Sequence, residues 1–185
     1  MLLALVAVAC SSPSNNPPAT QATSSVSSPS ESPPAEGVTD CETLATAAEV
    51  NTIVTAVPGL SSDLQLSEPE TATEVASGGP FPGVQVTTCN YSSNAATVAF
   101  YFGQGRDATT VRTQFEQSKP PAAADVAGLG DAAWFSFQDQ LLVIRGTTFL
   151  GVAFLGGGEE FGSVVALQDP QALHVPLATQ VLDRM

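Results

Sequence analysis

Residues 84–102, VQVTTCNYSSNAATVAFYF, decide the fold. Two runs rich in β-branched and aromatic residues, 84–91 and 96–102, flank Ser92-Ser93-Asn94, a cluster that favours a turn. The pattern predicts two strands with a short connection, and therefore an antiparallel sheet. Downstream, a Gly128-Leu129-Gly130-Asp131 turn leads into three further strand candidates, 132–137, 141–145 and 149–155. Upstream, Leu64 and Leu66 alternate with polar neighbours as a short strand, and 68–82, with Gly78-Gly79-Pro80 inside it, reads as a long acidic loop.

Helical signals frame these strands. Thr46-Ala47-Ala48-Glu49 matches a capping box, in which the Thr hydroxyl accepts one orphan backbone N–H and the Glu reaches back to another. A helix is expected to follow, with Val50, Ile53, Val54 and Val57 on one face and Pro58-Gly59 as its stop. Asp107 caps a second helix, with Ala108, Val111 and Phe115 on its buried side, Arg112 and Glu116 one turn apart outside, and Pro120-Pro121 beyond its end. A third is expected to begin at Pro176, carrying Leu177, Ala178, Val181, Leu182 and Met185. Each half of the domain reads as several strands followed by a helix. The expected fold class is α+β, an antiparallel sheet of about five to six strands with three helices packed on it and one disulfide. The sequence leaves open whether the helices share one face.

The amino end reads differently. An apolar opening, 1–9, ends in the small residues Ala7-Val8-Ala9, as a signal peptidase requires. Cys10 follows at once, and the junction resembles a bacterial lipobox, in which the thiol receives a diacylglyceryl group and becomes the new N-terminus. Ala7 stands where a lipobox carries Leu, Val or Ile, and no Lys or Arg precedes the apolar run. From Ser11 to Val38 the chain is Ser, Pro, Thr, Ala and Asn with Glu31 and Glu36 as its only charges, a composition expected to remain a disordered tether. The organisation read from the sequence is a signal peptide at 1–9, a lipidated Cys10 and tether at 10–38, and a single domain at 39–185. That domain has about 145 residues, enough to bury roughly two-thirds of its unfolded surface.

Charge and cysteine usage fit that placement. The formal charge is −13. No Lys or Arg occurs before Arg106, which disfavours nucleic acid, whose phosphates need cations to displace counterions. The acidity reads either as solubility at a crowded surface or as a site for a cationic partner or Ca²⁺. With Cys10 assigned to lipid, Cys41 and Cys89 remain as an even pair, either a disulfide in an oxidising compartment or two buried thiols. No metal-ligand spacing accompanies them, and His174 is the only histidine.

No catalytic motif emerges. His174 lacks a Gly-x-Ser-x-Gly partner, and its place two residues before Pro176 suits a surface or capping role. Glu68, Glu70, Glu159 and Glu160 read as solvated loop charges, and Gly156-Gly157-Gly158 as a turn whose following acids would repel phosphate. The aromatic runs Phe100-Tyr101-Phe102 and Trp134-Phe135 with Phe137 occupy both faces of their strands. One set packs beneath helices. The other, Tyr101 and Trp134 with Ser136, either lies under a covered second face or forms an open face for a ligand or partner.

Taken in order, Cys41-Glu42-Thr43-Leu44 before the capping box, Cys89-Asn90-Tyr91, Gly128-Leu129-Gly130-Asp131-Ala132 and the closing Leu177 to Leu182 helix resemble actinobacterial, mycobacterial-type surface lipoproteins. Many of those carry a small domain of unknown function. The resemblance covers 39–185 and implies an α+β domain bridged from Cys41 to Cys89 and anchored in the cell envelope. It brings no catalytic residues and no cofactor. The expected function is a lipid-anchored, non-catalytic domain on the extracytoplasmic face of the cell membrane that binds an envelope protein or ligand. A carrier of lipid or another amphiphile is the first alternative, and an envelope hydrolase the second.

Overall fold

The computed structural model of the chain describes residues 40–61, 63–77, 81–136, 140–156, 167 and 169–185. Cys10, the expected signal peptide and the tether lie outside them, as do Phe137, Glu159 and Glu160.

The elements are α1 (Cys41–Leu44), α2 (Ala47–Thr55), β1 (Glu70–Val75), β2 (Gln85–Ser92), β3 (Ala96–Gln104), α3 (Ala108–Ser118), β4 (Ala124–Asp125), β5 (Ala132–Phe135), β6 (Leu141–Arg145), β7 (Thr148–Gly156) and α4 (Pro170–Leu182). The fold class is α+β, with seven strands in one sheet ordered β1-β2-β3-β7-β6-β5-β4, each pair antiparallel. The hairpin read from 84–102 is β2 and β3, with Cys89 opposite Phe100.

Strand alternation builds two cores. Cys89, Tyr91, Val98, Phe100, Leu141, Val143, Leu150, Val152 and Phe154 point to one face, where α1, α2 and α4 cover them with Leu44, Val50, Val54, Leu173, Leu177 and Val181. The intervening residues Val86, Trp134, Ile144 and Phe149 point to the other, where they meet Phe81 and, from α3, Val111 and Phe115. The helices therefore do not share a face.

Several expectations are corrected, each for a physical reason. There are seven strands and four helices among the described residues rather than five to six and three. The stretch expected as a loop contains β1, whose residues are all exposed, so no burial period marks it. Leu64 and Leu66 are buried but form no strand. The side chain of Asn51 takes the place of a neighbouring strand there, accepting from the Leu66 N–H at 2.8 Å and donating to the Leu66 carbonyl at 2.9 Å. Helix α4 starts at Pro170 rather than Pro176, because Asp169 caps it by accepting from the N–H groups of Gln171 and Ala172. Pro176 lies inside, where burial of Leu173, His174 and Leu177 offsets the lost backbone bond. Met185 falls beyond the helix and Ala108 is exposed.

Two devices tie the helical layer together. The capping box at Thr46 and Glu49 forms as read, at 2.8 Å and 3.3 Å. Arg184, just past α4, places Nη2 at 2.5 Å and Nη1 at 3.0 Å from the two Glu49 carboxylate oxygens. With Arg184 first and the Thr46 donors second, the Glu49 pKa is held down at about 2. Cys41 and Cys89 form a disulfide, Cα atoms 5.6 Å apart, that fastens α1 to β2. Beside it the Tyr91 hydroxyl donates to the Ala45 carbonyl at 2.6 Å and lies 3.2 Å from that of Cys41.

Candidate functional site

Three places carry the residues singled out above. The first is the face beneath α3. Trp134 does not lie on an open surface: it is 3% exposed, with its ring 5.3 Å from Phe115. Phe81 and Phe149 stack at 4.2 Å alongside. The phenylalanines, α3 and Gly103 make this cover. A Cβ at Gly103 would fall 2.7 Å from the Phe149 ring and 2.6 Å from the Gln85 carbonyl, so only glycine lets the strand and ring approach so closely. Tyr101 sits farther along the same face, half-buried, its ring over Gly151. Burial pushes its hydroxyl pKa up. Trp134 and Tyr101 thus share a face of the sheet, but Trp134 belongs to the second core.

The second place is a cavity of about 360 Å³ at the start of α3, lined by Thr109, Arg112, Thr113, Asp131 and Gly146 among others. Its charged groups already have partners. Arg112 pairs with Glu116 at 3.5 Å and donates to the Asp131 carbonyl at 3.4 Å, while Asp131 Oδ2 accepts from the Gly146 N–H at 2.6 Å. Asp107 caps the helix, and the Thr110 N–H bonded to it at 2.8 Å holds its carboxyl below the usual carboxylate range. The hydroxyls of Thr109 and Thr113 have no histidine near them. The only histidine, His174, is not a surface or capping residue: it is fully buried in the other core, Nδ1 2.8 Å from the Pro170 carbonyl and its ring edge-on to Phe135.

The third place, which the sequence reading assigned to a loop, is the outer edge of β1. Glu70 and Glu74 are exposed there, with Glu68 just before them. The disulfide lies at its root, where the Thr71 hydroxyl donates to Cys41 Sγ at 3.1 Å. β-branched Thr71, Thr73 and Val75 at alternate positions were the available strand signal.

Among the described residues, no three His, Cys, Asp or Glu side chains converge as metal ligands, and no helix is long and apolar enough to cross a membrane. What these surfaces offer is shape, backbone groups and negative charge. Comparison of the chain with protein-family models, with curated proteins and with solved structures gives no match.

Proposed function

We propose that this chain is a lipid-anchored extracytoplasmic domain of the actinobacterial lipoprotein type, which holds a non-catalytic binding body outside the membrane. The observation that carries the proposal is the Cys41–Cys89 disulfide. Of three cysteines it uses two, leaving Cys10 as the odd thiol, at the junction between the apolar opening and the Ser/Pro-rich tract. A buried structural cystine also fits an oxidising compartment, where such bonds persist. Binding is favoured over turnover because the one histidine, His174, is sealed in the core and the Thr46 hydroxyl that meets the Glu49 carboxylate at 2.9 Å is committed to capping α2. The aromatic face at Trp134, expected as a surface for a ligand or partner, supports neither an acyl groove nor a partner patch at that ring, which is packed under α3.

The test is fractionation of the protein in an actinobacterial host. The chain is expected in the membrane fraction with a mass increment of acyl groups on Cys10, and Cys10→Ala is expected to release it, since acyl burial supplies about 0.8 kcal/mol per methylene. Recovery from the cytosol with its first methionine intact and three reduced thiols overturns the proposal. A purified protein that turns over an envelope substrate, with one side-chain substitution abolishing the turnover, overturns its non-catalytic part.

A further inference from the structure

β1 ends the sheet on one side, and all six of its residues are exposed. An antiparallel ladder uses the backbone of alternate residues. The Ala76 N–H bonds the Val84 carbonyl at 2.9 Å in this ladder, so Glu70, Ala72 and Glu74 turn their backbone groups toward β2. The N–H and C=O groups of Thr71, Thr73 and Val75 therefore face outward, and among the described residues no backbone bond engages them. Such an open row either needs guarding or serves as a template for another strand.

The side chains of the edge select what can dock. Glu70 and Glu74 project on the same side, four residues apart, and no described cation pairs with either. The adjoining β2 carries no charge. A second copy of the chain fits poorly. A two-fold register centred on Ala72 sets Glu70 opposite the other copy's Glu74, and one centred on Thr73 leaves the two Glu74 side chains diagonal neighbours; both place like charges together. Opposite charge removes that cost.

We infer that the β1 edge receives an extended segment of a partner protein carrying Lys or Arg four residues apart, added as a further antiparallel strand. The segment's backbone pairs with Thr71, Thr73 and Val75, its cations meet Glu70 and Glu74, and an apolar side chain covers Val75, which is 66% exposed. This names the partner class for the binding function proposed above and rests on it. The disulfide makes the edge a rigid template, because Cys89 is the direct ladder partner of Thr71.

The experiment titrates a labelled peptide, Val-Lys-Thr-Val-Thr-Lys, into the full chain and follows anisotropy. Two other peptides are run beside it: one with Glu in place of Lys, and one N-methylated at alternate residues, which keeps the charge but blocks the ladder. Each change is expected to weaken binding by about tenfold or more, the scale of one lost directional contact. Thr73→Pro, which deletes one outward N–H at a site where an edge strand tolerates proline, is expected to do the same while leaving the circular dichroism spectrum unchanged. The double variant Glu70→Lys and Glu74→Lys is expected to prefer the Glu peptide. Equal binding of the N-methylated peptide overturns the inference, because charge alone then holds the complex. No binding at about 1 mM peptide also overturns it, and the acids are then guards against self-association. A partner crosslinked in the envelope through another surface sinks the β1 inference and leaves the binding function standing.

Discussion

Arg184 grips Glu49 through both terminal guanidinium nitrogens, Nη1 and Nη2, so a residue beyond the last helix closes the first turn of α2. Glu49 also completes the capping box by accepting from the Thr46 N–H, so one carboxylate serves two ends of the helical layer. Arg184→Ala is expected to lower stability only modestly at neutral pH, because both side chains are about one-third exposed and water screens the pair. The effect depends on pH with a definite sign. The Glu49 pKa is depressed to about 2 in the folded chain, so its stabilisation is complete above the ordinary carboxylate pKa and is lost as pH falls toward 2. Urea midpoints of the two proteins are expected to differ at pH 7 and converge near pH 2; a gap that persists in acid refutes the assignment.

The disulfide is expected to dominate the stability of the domain. It closes a separation of 48 residues. In the chain-entropy account, replacing both Cys41 and Cys89 with Ala costs about 4 kcal/mol. Both sulfur-bearing residues are buried, so reduction by dithiothreitol is expected to need denaturant. Rapid reduction of the native protein, followed by thiol labelling, contradicts this.

Asn51 is expected to matter more than a half-buried polar residue usually does. Asn51→Ala orphans both backbone groups of the buried Leu66 and is expected to cost about 2 kcal/mol, the desolvation penalty of unpaired groups. Asn51→Asp keeps an acceptor for the Leu66 N–H and should fall between. Thermal unfolding of the two variants separates these outcomes.

Trp134 is the only tryptophan and reports on the second core alone. Its emission in the native protein is expected to be blue-shifted and resistant to iodide. Phe115→Ala opens a cavity against the indole and is expected to cost about 3 kcal/mol, with a red shift of the emission. Iodide quenching in the unaltered chain as strong as in urea runs against a covered face.

The sequence was legible where burial imposed a period and opaque where it did not. β2, β3, β6 and β7 carry apolar residues that a sheet interior demands, and their expected bounds lie within a residue or two of those observed. β1 is held by backbone pairing alone, so nothing in its side chains reports a core. Leu64 and Leu66 show the reverse, an alternation made by burial and satisfied by one carboxamide instead of a strand. Of two prolines that suit a helix start, the one preceded by Asp169 wins, because a cap supplies hydrogen bonds and proline supplies only a fixed φ. Among the site residues, Cys41 and Cys89 were expected as a pair only once Cys10 was set apart, with two buried thiols left open, and the structure decides for the disulfide. The depth of Trp134 and His174 was not readable, since it depends on which helix crosses which face.

The strand order makes the sheet two meanders, β1-β2-β3 and β4-β5-β6-β7, whose strands pair with one another only where β3 runs beside β7, from Ala96 opposite Gly156 to Gln104 opposite Thr148. The chain leaves the middle of the sheet after β3, passes through α3 and re-enters at the far margin in β4. Proteolytic nicking between Ser118 and Ala124 severs that crossing without touching a single β3–β7 hydrogen bond. Two polypeptide fragments, each a complete meander, remain zipped along the β3–β7 seam and clasped on either side of it by Phe115 against Trp134 and by Arg184 with Glu49, and mixing them after separation should rebuild the parent by complementation.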